Sequence, residues 1–599
     1  MEQMKKEVQE VWNIDKDMTL DGLVIGEKGS IKVPEGKRLY MTVNGICTAP
    51  APGVYEGKVQ LRIVEPVCHT YSRVAGETPI ELKAALYIKD GKPQESNSAF
   101  SFNTRQNTEI CVDGGRIVSE ETDSNGIVVE NGSCEIRDLY CNLESFGVDG
   151  LGKGAGILTL GDAKVLVKDS TILTKGGART AVAAFEDSEM TFENCRLHAD
   201  GPELTAEERE RAAADGHPCT PPWQIGLRGS AHVTTLDERG KMNFYNCSVS
   251  TRNWGVISVD DDASGVRVYG KDSDFTVTGN HGYGCFGINC DVEDGYQEKE
   301  EYGAYHRYDH CRFHVSTCLM YMSLGKTGAE FLDHTVIRSK RWGLCAFRSS
   351  GGFLRIAEGS DMQTGKACFS VKGSAVRIEV DHATVKSDTG TILQVIDNDD
   401  PGYLSDHYAV PQGEDHFLKG RDLTTASVTE DVFVKISNTE LSGDFYNATT
   451  NLLAETLPDP QDVEEVPPNF VHVRGVRGKD LQGPKNLEVC LENARIQGKI
   501  SSAKAVYHRE LQRIDVANCE EMGNVTCMAQ ATVNNGVILH LDHHSVWEVT
   551  GDSYLTALTL EKSSVIYAGE RKKARMTVDG IPTEIRPGTY KGQILITVK

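Results

Sequence analysis

A short unit recurs along most of this chain and restricts what the chain can fold into. Two alternating apolar residues lead into Asp, Asn or His, a small residue or Cys follows, and a second short strand pattern ends near Ser, Thr or Gly. Examples are VLVKDSTILTKG at 165, MTFENCRLHADG at 190, MNFYNCSVSTRN at 242 and VFVKISNTELSGD at 432. The period of two predicts strands with one inward and one outward side. Asn and Asp suit the tight corner that joins two such strands.

These units cannot bury their apolar side alone, so they predict stacked coils in which each strand pairs with strands of the neighbouring coils. In this repeat pattern the chain resembles the right-handed parallel β-helix proteins of the pectate-lyase-like superfamily, over residues 105–555. The resemblance implies an all-β fold in which a single chain winds as a right-handed parallel solenoid. It also implies a choice among lyases, glycoside hydrolases, epimerases and non-catalytic adhesin segments. A many-stranded β-sandwich is the alternative fold.

A second repeat relates the two ends of the chain. MTVNGICTAPAPGVYEGKVQLRIV from Met41 matches MTVDGIPTEIRPGTYKGQILITV from Met576. We interpret the two copies as small terminal β units, related by internal duplication, that cover the exposed strand edges of a solenoid; a carbohydrate-binding module is the alternative.

The repeats predict three regions and three loop insertions. The regions are an N-terminal β unit at 1–104, a β-helix at 105–555 and a C-terminal unit at 556–599 that is similar to residues 18–65. The insertions lie at about 200–222, 397–417 and 454–469. The first contains LTAEERERAAADG, in which Thr205 and Glu208 form a capping box before a predicted helix that ends at Gly216.

The composition and charge of the chain disfavour some classes of binding partner. The net charge of −24 disfavours nucleic acid and anionic membranes, whose phosphates require clustered Lys and Arg, and it favours a neutral small-molecule or oligosaccharide substrate. No apolar run approaches the roughly 18 residues that span a bilayer. The start of the chain lacks a secretory signal pattern, and the 17 cysteines sit singly in strand patterns, as reduced, packed thiols do. We therefore expect a cytoplasmic protein without a cofactor; a homo-oligomer is compatible with the pattern.

Acidic residues at the end of one predicted strand are the first candidates for chemistry. In VISVDDD, alternation places Asp260 and Asp262 on one side of the strand and Asp261 on the other. Backbone positions two residues apart on a strand are about 6.6 Å apart, which is compatible with the separation of the two carboxyl groups in an inverting glycosidase. The alternative is a plain polar turn.

A second acidic run, QVIDNDDPGY, contains the further catalytic candidates Asp397 and Asp399, and Tyr403 as a binding residue. Its oxygen ligands would suit Ca²⁺, although an acidic turn explains them equally. The Asn-Thr-Asp, Gly-His-Gly and Arg-Ile-Lys segments of polygalacturonase-type hydrolases do not occur in the sequence. The acids are therefore hypotheses of their own.

Aromatic, histidine and basic residues are dense around the first acidic run. Tyr and Trp can stack on sugar rings, Tyr and His can act as acid or base, and Arg can bind a carboxylate. Tyr305 and His306 join the catalytic candidates. The candidates for substrate binding, besides Asp261 and Tyr403, are Trp254, His281, Tyr283, Tyr302, Tyr321, Lys326, Arg341, Trp342 and Arg348. Interior packing of the same aromatic residues is the alternative.

Three functions stay open. The first is a carbohydrate-active enzyme that hydrolyses a neutral oligosaccharide or glycoside with paired carboxylates. The second is a lyase, epimerase or isomerase that uses Tyr or His as base and Arg341 or Lys326 to stabilise an enolate-like intermediate. The third is a non-catalytic binding or adhesin-like module. Fold alone does not separate them.

Overall fold

The computed structural model describes most of the chain. The described residues are 5–34, 37–47, 50, 52–64, 67–71, 79–94, 102–104, 110–202, 227–259, 263–288, 302–323, 325–347, 349–396, 398, 422–426, 431–448, 485–507, 519–533, 535–542 and 544–599. They form two compact units, residues 1–220 with 229–252 (unit 1) and residues 221–228 with 253–599 (unit 2).

In each unit the coils contribute strands to three parallel faces, called faces 1, 2 and 3, and in unit 1 two long strands each run through both faces 2 and 3. In unit 1, face 1 contains β9 (Ile80–Lys89), β13 (Ser124–Glu130), β15 (Ile157–Leu160), β18 (Val182–Ala184) and β21 (His232–Leu236), with β8 (Val67–Tyr71) and β10 (Lys92–Pro93) antiparallel at its edge. Faces 2 and 3 contain β12 (Ile110–Ser119), β14 (Ser133–Glu144), β16 (Lys164–Lys168), β17 (Thr171–Lys175), β19 (Glu189–Glu193), β20 (Arg196–Asp200), β22 (Lys241–Tyr245) and β23 (Ser248–Thr251), with β11 (Phe102–Thr104) antiparallel to β12.

Unit 2 continues the same three-strand plan. Face 1 contains β24 (Trp254–Val259), β27 (Gly282–Ile288), β30 (Cys318–Ser323), β33 (Trp342–Phe347), β36 (Phe369–Lys372), β39 (Thr391–Ile396), β42 (Asp444–Asn447) and β45 (Ile500–Tyr507), with β46 (Val525–Ala529) antiparallel to β45. Face 2 contains β25 (Val266–Lys271), β28 (Ala304–Asp309), β31 (Thr327–Leu332), β34 (Ser350–Ala357), β37 (Ala375–Asp381), β40 (Val432–Ser437), β43 (Leu487–Glu492), β47 (Val537–Asp542) and β49 (Ser553–Leu560). Face 3 contains β26 (Asp274–Val277), β29 (Arg312–Val315), β32 (Val336–Ser339), β35 (Asp361–Thr364), β38 (Thr384–Ser387), β41 (Glu440–Ser442), β44 (Arg495–Gly498), β48 (Val546–Val549) and β50 (Val565–Ala568).

The described chain is therefore all-β, with long sheets of parallel strands, and the predicted parallel β-helix is confirmed. Its regular helical turns are short 3-10 segments such as Asp149–Leu151 and Cys519–Glu521. No helix in the described residues is long and apolar enough to cross a bilayer. The helix predicted at 205–216 lies outside the described residues.

Left-handed backbone marks the corner between faces 2 and 3, as the sequence pattern predicts. Asp169, Asn194 and Asn246 have φ values of 48°, 55° and 53°, a conformation that Asn and Asp tolerate better than most residues. The Nδ2 of Asn246 donates to Asn194, and the Nδ2 of Asn194 donates to Asp169, at 2.8 and 3.0 Å. The corner residues thus form a ladder that fixes how successive coils align.

Inward side chains stack along the coils. In unit 1 the rings of Phe192 and Phe244 lie 5.3 Å apart and nearly parallel; in unit 2 those of Phe275 and Phe313 lie 4.7 Å apart. Each fully buried Phe contributes on the order of 1.5–3 kcal/mol relative to an exposed one. The twelve cysteines whose side chains the structure describes have free thiols, and most of them are buried.

The parallel pairing is longer than the range 105–555 predicted from the repeats. In unit 1, β9 already pairs in parallel with β13, Leu86 opposite Ile127. In unit 2, β48 pairs in parallel with β50, Trp547 opposite Ile566. Neither β9 nor β50 lies in one of the repeat units from which that range was predicted.

The ends of the chain adopt the duplicated structure that the second repeat indicates. The N-terminal copy contains β1 (Lys5–Val8), β2 (Val11–Asn13), β3 (Met18–Ile25), β4 (Ser30–Lys32), β5 (Arg38–Val43), β6 (Ile46–Cys47) and β7 (Gly53–Val64). The C-terminal copy contains β48, β49 and β50 with β51 (Ala574–Val578), β52 (Ile581–Thr583) and β53 (Gly588–Val598). Met41 pairs with Leu61 and Met576 pairs with Ile596, at the same offset of 535 positions (576 minus 41).

Candidate functional site

Many of the predicted site residues follow the carboxyl ends of face 1 strands in unit 2. These ends meet at one edge of the sheet because the strands are parallel. Their last residues are Val259, Ile288, Ser323, Phe347, Lys372 and Ile396. We call the stacked turns from these ends to face 2 the face 1–2 corner.

Only part of the predicted set at this corner lies within the described residues. Lys326 does, and its backbone carbonyl accepts the N–H of Gly303 at 2.9 Å. The predicted residues that lie outside the described residues are Asp260, Asp261, Asp262, Arg348, Asp397, Asp399 and Tyr403. The Ca²⁺ hypothesis for the second acidic run concerns these residues too.

The two acidic runs start on distant coils. Val259 precedes the first run and Ile396 precedes the second, and five steps between paired face 1 strands separate them. At about 4.8 Å per step, the strand ends are about 24 Å apart.

Aromatic side chains lie on the outer side of face 2, directly after this corner. The rings of Tyr302 and Tyr305 are 5.4 Å apart, and those of Tyr302 and Phe353 are 6.3 Å apart. All three side chains are half-buried. Gly328, which pairs with Tyr305 on the next coil, leaves space for them: a Cβ there would lie 2.5 Å from the Tyr305 ring.

The same outward position continues on the following coils. Phe353 pairs with Arg377, and Arg377 pairs with Phe433. The Arg377 guanidinium lies 4.7 Å from the centre of the Phe433 ring, and both side chains are half-buried. We call Tyr302, Tyr305, Phe353, Arg377 and Phe433 the aromatic strip. It is a row of accessible ring surface with one cation, which suits a flat or ring-shaped polar ligand.

A carboxylate lies beside the strip. The Tyr305 hydroxyl donates to Oε2 of Glu330 at 2.7 Å, and Nη1 of Arg355 is 3.7 Å from Oε1. Burial raises the pKa of Tyr305 above its ordinary value, and the hydrogen bond to Glu330 raises it further. Burial also raises the pKa of Tyr302. Both phenols therefore keep their protons at neutral pH, and Tyr305 donates a hydrogen bond instead of acting as a base.

His306 has a different position from the one its sequence neighbourhood suggested. It points into the coil interior, is fully buried, and its Nδ1 lies 3.3 Å from the Tyr308 hydroxyl. Burial lowers its pKa to about 3, so the ring is neutral. Alternation explains the placement, since Tyr305 and His306 are neighbours on one strand and face opposite sides. An interior residue does not reach a substrate, so we remove His306 from the catalytic candidates.

The remaining predicted residues form a second group on the outer side of face 1. Trp254, Tyr283, Tyr321 and Trp342 pack in one cluster and are at most 7% exposed. The Tyr283 hydroxyl is hydrogen-bonded to that of Ser258 at 2.8 Å. These rings have little free surface, so the structure does not offer them as stacking platforms for a ligand.

A later segment of the chain covers part of this cluster. The guanidinium of Arg341 lies 4.1 Å from the centre of the Trp342 ring and donates to the backbone oxygen of Glu520. The Glu520 carboxylate lies 3.3 Å from Nη2 of Arg228. Burial lowers the pKa of Arg341 and, together with Arg228, that of His281. His281 is therefore neutral at the half-exposed rim of the cluster.

Sequence reasoning missed Glu330, Phe353, Arg377 and Phe433. A signal for three of them exists: Phe353, Arg377 and Phe433 lie five residues before the left-handed corner residues Glu358, His382 and Asn438. Tyr305 has the same spacing from His310. Counting back five residues from each corner therefore finds every residue of the strip except Tyr302.

Comparison with known proteins adds no family or relative. No protein-family model matches the chain, and no curated protein matches it. The functional argument therefore depends on the residues and their geometry.

Proposed function

We propose that this protein is a carbohydrate-active enzyme that binds a neutral oligosaccharide or glycoside along the aromatic strip and hydrolyses it at the face 1–2 corner. One observation supports this more than any other. The half-buried rings of Tyr302, Tyr305, Phe353 and Phe433 follow the same edge that the chain reaches at Val259, immediately before Asp260.

The strip fits a sugar better than a polyanion. Its rings present apolar faces on which the C–H surface of a sugar packs, and Arg377 and Glu330 offer donors and acceptors to hydroxyl groups. Arg377 donates to Glu379 at 2.7 Å and Arg355 lies beside Glu330. The cations are thus paired with carboxylates, which leaves no excess positive charge to attract an acidic polymer.

Asp260 and Asp262 are the proposed catalytic pair. One carboxylic acid gives its proton to the oxygen of the leaving group while the glycosidic C–O bond breaks. The other carboxylate takes a proton from water as the water oxygen bonds to the anomeric carbon. Tyr305, whose hydroxyl donates to Glu330, would offer the sugar its ring face and a hydroxyl oxygen that accepts a hydrogen bond. The interior position of His306 leaves carboxylates as the better acid and base.

A second candidate, proton abstraction by a lyase or isomerase, now depends on His281. Its lowered pKa and half-exposed position beside Arg228 and Glu520 favour a neutral imidazole that could accept a proton. This site would lie at the amino ends of the face 1 strands. Variants at the two ends of those strands therefore distinguish the two reactions.

The test is turnover of neutral oligosaccharides and aryl glycosides by the purified protein, with products identified by mass. We expect a mass gain of one water per cleaved bond, lost in Asp260→Asn or Asp262→Asn and kept in the exposed control Asp552→Asn. Phe353→Ala and Phe433→Ala should raise KM with a smaller effect on kcat, because they remove ring contacts away from the reacting bond.

Other outcomes decide against hydrolysis. Products without added water, lost in His281→Ala and not in Asp260→Asn, would establish the proton-abstraction reaction instead. Ligand binding that depends on Phe353 and Phe433, with no turnover of any substrate, would make the protein a binding module.

A further inference from the structure

Three side chains capable of metal binding meet on the outer side of face 2 in unit 2. Glu488 and Cys490 are two residues apart on β43 and therefore point to the same side. His540 on β47 pairs directly with Cys490 in the parallel register. All three side chains are half-buried.

Their ligand atoms have the separations of a metal site. Nε2 of His540 lies 3.2 Å from Oε1 of Glu488, and Sγ of Cys490 lies 3.7 Å from the same oxygen. All three ligand atoms lie within 4.8 Å of one another. A tetrahedral zinc ion with bonds of about 2.1 Å to N and O and about 2.3 Å to S needs N–O and S–O separations of about 3.4 and 3.6 Å. The N–O and S–O distances in the structure, 3.2 and 3.7 Å, are close to these values.

The surrounding charges leave the three ligands available. Lys435 pairs with Cys490 on the preceding coil, but its amino group lies 2.6 Å from the carboxylate of Glu492. Burial and Glu488 raise the pKa of Cys490 to about 12.

We propose that Glu488, Cys490 and His540 bind one Zn²⁺ ion, with the fourth position open to water or to an added ligand. Thiolate and imidazole favour zinc over Ca²⁺ or Mg²⁺, which prefer oxygen ligands. Three protein ligands with one free position are the arrangement of zinc sites that bind a further ligand. The site begins one coil beyond Phe433, since Phe433 pairs with Glu488. It does not depend on the proposed hydrolysis.

The ligands are far apart in sequence, so spacing rules do not find them. Cys490 and His540 meet only because β43 and β47 are consecutive coils of face 2. No zinc site was predicted from the sequence, in which Cys285 and Cys290 of CFGINC do not have the spacing of the usual zinc pairs. Cys285 in fact points inward and contacts the Tyr308 hydroxyl at 3.1 Å.

The experiment measures metal binding by the full-length, metal-free protein. Zinc affinity is obtained by competition with a chromophoric chelator, and Co²⁺ is added separately to detect the charge-transfer absorption of a cobalt–thiolate bond. We expect one zinc equivalent in the wild type, with affinity at least about tenfold lower in Cys490→Ser, His540→Gln and Glu488→Gln. The cobalt–thiolate band should disappear in Cys490→Ser.

The matched control is His544→Asn. His544 is exposed and follows β47, the strand that contains His540, and its backbone is left-handed (φ 66°), a conformation that Asn also adopts readily. It should bind both metals like the wild type. Equal zinc affinity and an equal cobalt spectrum in the wild type and Cys490→Ser would overturn the proposal. Circular dichroism of each metal-free variant checks the fold, and should one variant misfold, the other two still decide the result.

Discussion

The two ends of the chain have the same strand pairing but different surroundings. Trp12 pairs with Ile31 in the N-terminal copy, and Trp547 pairs with Ile566 in the C-terminal copy. Trp547 is fully buried and its Nε1 donates to the backbone oxygen of Gly498 on the preceding coil. Trp12 is half-buried.

The difference comes from the preceding coil. In the C-terminal copy, β48 pairs with β44, so the end of the β-helix continues into the terminal unit. In the described residues the corresponding strand β2 pairs only with β4. Local sequence thus fixes the hairpin and its register in both copies, while the burial of the shared tryptophan depends on what is stacked below it. Four sets of substitutions test this account.

The largest difference is expected for the tryptophans. Trp547→Ala should destabilise the C-terminal copy by about 3–5 kcal/mol, because it leaves a cavity and removes the hydrogen bond from Nε1 to Gly498. Trp12→Ala should cost about 1–2 kcal/mol, because its ring keeps solvent contact. Hydrogen exchange followed by mass spectrometry, on peptides from each copy, measures the local stability. Equal losses at the two positions would contradict the role of the preceding coil.

The glycines of the two hairpins should behave alike. Gly57 and Gly592 have φ values of 94° and 123°, and a Cβ at either position would collide with the side chain of Asn44 or Asp579. Gly57→Ala and Gly592→Ala should therefore each cost about 1–3 kcal/mol. Local hydrogen exchange is again the measurement. A cost confined to one copy would show that the hairpins are not structural equivalents.

A smaller and equal effect is expected at the hairpin turns. The side chain of Asn44 accepts the N–H of Lys58 at 2.9 Å, and that of Asp579 accepts the N–H of Gln593 at 2.8 Å. Asn44→Ala and Asp579→Ala should each cost about 0.5–1.5 kcal/mol. The exchanges Asn44→Asp and Asp579→Asn keep an acceptor and serve as controls. If the controls lose as much stability as the alanine variants, the hydrogen bond is not the cause.

The smallest effect is a pH dependence found in one copy only. Hydrogen bonds from Tyr567, Gln497 and Arg495 lower the pKa of Glu548, whereas the equivalent residue, Asn13, does not titrate. A lowered folded pKa gives stability that is present above the ordinary value of about 4.3 and is lost as the pH falls through the folded value. Glu548→Gln should therefore destabilise the C-terminal copy at neutral pH and match the wild type in acid. A pH-independent difference in denaturant midpoint would exclude this linkage.

The β-helix could be predicted from the sequence because its rules are local. Alternation fixed which residues of MTFENCRLHADG point inward, and the left-handed turn selected Asn194. The same alternation could have separated Tyr305 from His306, had the boundaries of β28 been known. The strands at residues 80–89 and 565–568 lie outside the repeat units and were therefore not predicted as part of the β-helix.

The candidate site was only partly predictable. Composition drew attention to the region of Trp254 and Trp342, yet the structure closes that cluster and leaves the aromatic strip accessible. The strip joins residues from different coils, and Arg377 meets Phe433 across a long insertion. Because insertions differ in length, no fixed sequence spacing predicts such pairs. Counting back five residues from each corner residue does find them.

The sequence by itself determined the strand alternation, the polar corners and the duplicated hairpins, because each depends on backbone preferences and side-chain direction within a few residues. Only the tertiary structure decided which coils are neighbours, and hence that Trp547 is buried and Trp12 half-exposed, that the ring of Phe433 meets Arg377, and that Cys490 meets His540. The physical reason is that hydrogen bonds between coils set the register, and register brings together side chains that the chain separates by dozens of residues.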